Sequence, residues 1–87
     1  PSEYIVLARR KGQDWFIAGM TSSPRTVNIA LDFLLEGKEY NALIFRDDTH
    51  TTMHRETRTI NRETLLSIDL LQNGGFAVRL KPANPSN

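Results

Sequence analysis

Leu66, Ile68 and Leu70 alternate with Ser67 and Asp69, and a few residues later Phe76, Val78 and Leu80 alternate with Ala77, Arg79 and Lys81. An extended strand sends successive side chains to opposite faces, so each run can bury one apolar row and keep the other in water. Between the runs lies Leu71-Gln72-Asn73-Gly74-Gly75, whose Asn-Gly pair marks a tight turn. Two strands separated by a turn constrain the whole chain, because a pair of strands in isolation is unstable and needs more sheet to pack against.

The rest of the sequence supplies it. Residues 4–10 and 15–20 are rich in β-branched and aromatic types and are joined by Lys11-Gly12-Gln13-Asp14, a hairpin signal. Val27, Ile29, Leu31 and Phe33 alternate with Asn28, Ala30 and Asp32, with Pro24 just ahead of the run. Thr26 to Leu35 also fits helical spacing loosely, but alternation fits better. Leu34 to Glu39, with Gly37 as turn residue, leads to a strand over Tyr40 to Arg46. The charged and threonine-rich Arg55 to Ile60 suits an edge strand or an exposed face. The expected fold is therefore all-β, a small antiparallel β-sandwich of about seven strands. Pro82 to Asn87 is expected to be a polar tail.

With 87 residues the chain is expected to form a single domain, 1–87, which buries about 60 to 65% of its unfolded surface and owns a thin core. It opens on Pro1 rather than methionine and is read as a fragment of a larger multidomain protein. There is no cysteine, so disulfides, thiolate metal sites and cysteine nucleophiles are excluded. Eleven Lys and Arg stand against ten Asp and Glu, and the signs alternate along the chain. No nucleic-acid partner is expected from such a distribution. The apolar runs are far shorter than the roughly 20 residues of a membrane helix, so no membrane partner is expected either.

Catalytic patterns are missing at the level of motif. The carboxylates have no pairing signature of a glycosidase, Ser22-Ser23 lacks a nucleophile elbow, and Gly74-Gly75 lacks the helix and lysine of a phosphate loop. No catalytic, cofactor-binding or metal residue is assigned. Asp47, Asp48, His50 and His54 gather possible ligands in one stretch, but without the third ligand at fixed spacing that makes a zinc motif persuasive, and they read as an ordinary polar loop.

The stretch YIVLARRKGQDWFIAGM, Tyr4 to Met20, holds the strongest hint of function. Ile5 and Leu7 fall on one face of its first strand and Tyr4, Val6 and Ala8 on the other, so both faces ask for cover that a domain this small does not supply. The second face is expected to meet another domain or subunit. Arg9, Arg10 and Lys11 read as the solvated end of the hairpin. Trp15 and Phe16 point to opposite faces, so one belongs to the core and the other to a contact.

These residues also resemble a known family. ARRKGQDWFIAGMT, the following Pro24-Arg25, a run ending in LDFLLEGKEYNALIFRDD and the closing GGFAVRL are similar to the C-terminal β-domain of glycoside hydrolase family 97. The likeness spans Tyr4 to Pro82 and is most specific over Ala8 to Thr21 and Gly74 to Leu80, whereas Thr49 to Thr64 departs freely. The resemblance implies a non-catalytic accessory domain of an α-glucosidase or α-galactosidase, of a kind common in Bacteroidetes, which packs on the catalytic barrel of the same polypeptide and supports oligomerisation. It implies a periplasmic or secreted enzyme and places the catalytic carboxylates and a calcium ion outside this segment. An exposed apolar patch, larger than the few hundred Å² of an ordinary monomer, is the expected mark of such a role. The alternative is a carbohydrate-binding module in which Trp15 or Tyr40 stacks on a sugar and Gln13 or Asp14 bonds its hydroxyls. Trp15, Phe16 and Tyr40 are thus the candidate interface or sugar-contact residues.

Overall fold

The structure, a computed structural model, describes residues 3–49 and 51–83. Seven strands follow one another in the chain: β1 (Tyr4–Lys11), β2 (Asp14–Thr21), β3 (Arg25–Ala30), β4 (Tyr40–Asp47), β5 (Met53–Ile60), β6 (Leu65–Leu70) and β7 (Gly75–Pro82). They form a five-stranded sheet in the order β1-β2-β7-β4-β5 and a two-stranded sheet of β3 and β6, with every pairing antiparallel. No helix occurs among the described residues. The all-β sandwich follows from the alternation, as expected.

Each local signal has a structural counterpart. Gly12 and Gln13 form a two-residue loop between β1 and β2, and Gly12 adopts φ +63°, a conformation that a side chain disfavours. Asn73 turns the chain with φ +57°, and Gly74 N–H closes the turn on the Leu71 carbonyl at 2.9 Å. Yet this turn joins no hairpin. β6 pairs with β3, whereas β7 crosses to the other sheet and inserts between β2 and β4. Local chemistry fixes a reversal of the chain, but the partner of each strand is set by which apolar rows meet.

Two boundaries move. The alternation through Phe33 leads to the expectation of a strand that in fact stops at Ala30. Leu34 N–H donates to the Leu31 carbonyl at 3.0 Å, a turn that puts both leucines in the core three residues apart. That spacing is the source of the loose helical pattern over Thr26 to Leu35. Pro82, expected in the tail, ends β7, and Ala83 N–H donates to the Glu39 carbonyl at 2.9 Å. Residues 84–87 lie outside the described residues.

The core fills the space between the sheets. From the large sheet come Ile17, Tyr40, Ala42, Ile44, Ile60, Phe76, Val78 and Leu80; the small sheet and its connection contribute Val27, Leu31, Leu34, Leu66, Ile68 and Leu70. Register explains the fit, since Ile17, Val78 and Ile44 lie side by side across β2, β7 and β4. The outer face of the small sheet is mostly polar, with Ala30 and the exposed Leu65 paired at one end. Thr26 bonds Asp69 and Asn28 bonds Ser67, both at 2.6 Å, across the two strands.

Tyr40 is 2% exposed, and its hydroxyl accepts the Leu35 N–H at 3.3 Å. Buried tyrosines find such a partner because an unpaired polar group in a core is costly. Tyr40→Phe removes the acceptor and keeps the ring, so it is expected to lower the unfolding free energy by about 1 kcal/mol, measured by urea denaturation.

Candidate interaction face

The two surfaces of the sandwich are unlike each other. On the outer face of the five-stranded sheet one row runs Leu7, Ala18, Ala77, Phe45 and Arg55 across all five strands. A second runs Arg9, Phe16, Arg79, Leu43 and Thr57. Ile5 stands opposite Met20, which stands opposite Gly75, and Met53 lies opposite Asp47. Small residues at the centre, Ala18, Ala77 and Gly75, therefore make a shallow floor, and larger apolar groups rise around it. Ile5 (51%), Leu7 (65%), Met20 and Met53 (both 61%) are open to solvent. An apolar area collected on one face, rather than scattered singly, is what marks a contact surface.

Charge collects beyond the apolar half. Arg9, Lys11, Arg79 and Lys81 are exposed at one end of the outer face, with Asp14 opposite Lys11, whereas Arg55 stands beside Phe45 in the Leu7 row. In the linear sequence these cations are interleaved with acids and give no net field. The sheet sorts them. The face is thus apolar at one end and cationic at the other, the profile of a hydrophobic contact with a charged rim.

The candidate residues divide along the same line. Trp15 turns inward, half-buried against the core, with its ring 4.4 Å from that of Phe33 and tilted by 50°. Phe16, its neighbour, lies on the outer face at 36% exposure, between Arg9 and Arg79. So Trp15 is the inward residue of the pair and Phe16 the outward one. Tyr40, considered as a sugar platform, is a core residue with no ring face toward solvent. With Tyr40 buried and Trp15 packed on Phe33, the two platforms of the sugar-binding alternative are both occupied by the fold's own packing. Gln13 is left at the exposed hairpin loop, beside Asp14 at the start of β2.

The polar stretch around residue 50 does not converge. Asp47 lies on the outer face, where its Oδ2 accepts the Gly75 N–H at 2.8 Å and so ties β4 to the start of β7. His54 is paired in register with Arg46 on the inner face, and its Nε2 is 3.8 Å from Glu56 Oε1. Asp48 Oδ1 lies 3.8 Å from Arg46 Nη1. His50 falls outside the described residues. The loop itself is organised by Thr49, whose hydroxyl accepts the N–H groups of Thr51 and Thr52 at 3.2 and 3.0 Å.

Met20, Phe45 and Met53, which with Ile5 and Leu7 shape the outer face, were not singled out by sequence reasoning. The continuous hydrophobicity of Ile17 to Met20 and Ala42 to Phe45 contains the signal, because a strand apolar on both sides is covered on both sides. Its use requires the knowledge that β7 brings β2 and β4 together.

Comparison with known proteins agrees with this geometry. Residues 1–81 match the family described as "Glycosyl-hydrolase 97 C-terminal, oligomerisation". A retaining alpha-galactosidase of Bacteroides thetaiotaomicron is 37% identical, over 91% of this chain and 13% of its own length. A glycoside hydrolase family 97 enzyme from Pseudoalteromonas sp. strain K8, solved in complex with acarbose, superposes with a TM-score of 0.80 at 31% identity, over 91% of this chain and 14% of that one. A beta-arabinopyranosidase shares the fold, with a TM-score of 0.66 at 19% identity. The chain thus spans about one-seventh of the length of the enzymes it resembles. By sequence match and by fold, this chain belongs to the family of glycosyl-hydrolase 97 C-terminal, oligomerisation domains.

Proposed function

We propose that the chain is a non-catalytic accessory domain of a family 97 α-glycosidase, acting on α-galactosides or α-glucosides, and that the outer face of its five-stranded sheet packs on the catalytic barrel of the same polypeptide. The observation that carries the docking face is the contrast between the two surfaces. The small sheet bridges its outer face with cross-strand hydrogen bonds and exposes one large apolar side chain there, Leu65, whereas the large sheet leaves Ile5, Leu7, Phe16, Met20 and Met53 toward solvent. A domain that supplies about one-seventh of such an enzyme has a large neighbour available to cover that face. The family's oligomerisation role supports a further contact between subunits.

Met20→Lys tests the docking. In the 87-residue chain the ammonium stays in water, and the change in stability is expected within about 0.5 kcal/mol. In the full-length enzyme the same charge is forced into an apolar contact and is expected to weaken docking about tenfold or more, read as increased proteolytic release of the domain. Equal release of variant and wild type would show that Met20 remains in water in the enzyme and that the barrel lies elsewhere.

A further inference from the structure

The two edges of the five-stranded sheet are not equivalent. β5 carries His54, Arg55, Glu56 and Arg58 along its length, and such charges protect an edge against pairing with another strand. β1 pairs with β2 through eight unbroken registers, without a bulge or a proline, and exposes Tyr4, Ile5 and Leu7. Its charges, Arg9, Arg10 and Lys11, sit at one end only. A long, unbroken edge with an apolar first half is the arrangement that proteins avoid unless something pairs with it.

The hydrogen bonds show which backbone groups are free. Ser22 N–H donates to the Glu3 carbonyl at 2.9 Å, and the Ile5 carbonyl is turned toward Gly19 of β2. In an antiparallel ladder the direction alternates from residue to residue. Glu3, Ile5, Leu7, Arg9 and Lys11 thus face β2, while the N–H and C=O groups of Tyr4, Val6, Ala8 and Arg10 point outward along the open edge.

We propose that β1 pairs antiparallel with β1 of a second copy of this chain, about a twofold axis that passes through Leu7. The proposal rests on the oligomerisation role given above and names the strand and register that carry it. In this register Val6 hydrogen-bonds with Ala8 of the second copy and Tyr4 with Arg10, so all four outward residues find partners. Leu7 meets its own copy as a non-hydrogen-bonded pair on the outer face. Charge selects the arrangement. A parallel pairing would set three cations against three cations, whereas the antiparallel one places Lys11 opposite Glu3 and Arg10 opposite Tyr4, one face of whose ring is covered by Arg25 of its own chain at 4.1 Å. The two sheets become one of about ten strands, near the practical limit for a twisted sheet, and the outer apolar face continues unbroken from one copy into the other.

Because the chain contains no cysteine, a single introduced thiol reports the axis without interference. Leu7→Cys puts two thiols opposite each other with Cα atoms about 4.5 Å apart, within disulfide range. Ile5→Cys sets its two thiols four registers apart, about 13 Å. On mild oxidation the Leu7→Cys chain is expected to become a covalent dimer and the Ile5→Cys chain to stay single. Ala8→Pro removes only an outward N–H, so it is expected to keep the thermal midpoint of the fold and weaken dimerisation, measured by sedimentation equilibrium, about tenfold or more. A wild-type chain that stays monomeric at about 100 µM overturns the proposal, as does disulfide formation at position 5 to the same extent as at position 7. A dimer that resists Ala8→Pro but is lost in Met20→Lys also overturns it, while leaving the oligomerisation role intact and moving it to the sheet face.

Discussion

Leu66→Ala is expected to lower the unfolding free energy by about 3 kcal/mol, the usual cost of a fully buried leucine whose cavity cannot collapse. Leu66 is 0% exposed and sits on β6, one of only two strands that cover the inner face of the large sheet. A two-stranded layer has little freedom to close over a void without breaking its own ladder to β3. For a domain of this size the whole stability is roughly 4 to 13 kcal/mol, so the loss is a large fraction of it, and the thermal midpoint is expected to fall by roughly 12 to 24 °C. Leu65→Ala, one residue away and 61% exposed, is the matched control and should change stability by less than about 0.5 kcal/mol. Similar losses for both, measured by calorimetry, would mean that the small sheet is not seated on the large one in this register.

Gly19→Ala is expected to destabilise by about 2 kcal/mol, against the usual direction. Replacing glycine by alanine in an extended strand normally helps, because the unfolded chain loses freedom. At position 19, however, a Cβ would lie 2.5 Å from Phe76 Cε1 and 2.8 Å from the Ile5 carbonyl oxygen. Gly19 stands directly opposite Phe76 in the β2–β7 register and Val6 in the β1–β2 register, so the absent side chain is the space that the phenylalanine ring occupies. Gly19→Ala with Phe76→Leu distinguishes the two contacts. Partial recovery in the double variant, followed by urea denaturation, assigns the strain to the ring. No recovery assigns it to the β1 backbone, and a stabilised single variant would contradict the close packing of β7 against β2.

The strands were legible because burial on one side forces a period of two. β6 shows this most clearly, with Leu66, Ile68 and Leu70 buried and Leu65, Ser67 and Asp69 exposed. The same logic misplaced the end of β3, since Leu31 and Phe33 keep the alternation while the chain is already turning. Partners were less legible than strands. Asn73-Gly74 reads as a tight turn on local grounds and is one, but which strands it joins is not local: it carries the chain between sheets, because β7 finds two apolar neighbours in β2 and β4 that lie far away in sequence.

The candidate surface was legible in half. Tyr4 to Ala8 announces an apolar strand on both faces, and Tyr4, Ile5 and Leu7 are indeed exposed. The pair Trp15 and Phe16 divides as strand geometry requires, but only the sheet order says which side is the core. Tyr40 illustrates the opposite error, for an aromatic beside polar neighbours in sequence is a core residue whose hydroxyl serves a turn. The cationic end of the outer face could not be seen at all before the registers were known, since Arg9 and Lys11 of β1 and Arg79 and Lys81 of β7 are brought to one end by β2 between them.

The docking face can be tested without any substitution, because the only two methionines of the chain, Met20 and Met53, are both on it and both 61% exposed. Thioether oxidation by dilute peroxide follows exposure, so each rate can be read by peptide mass spectrometry. In the isolated 87-residue chain both methionines are expected to oxidise at the rate of a free peptide; in the full-length enzyme both should be protected about tenfold or more. Equal rates in the two settings would contradict the account, because the outer sheet face would then remain in water when the rest of the polypeptide is present.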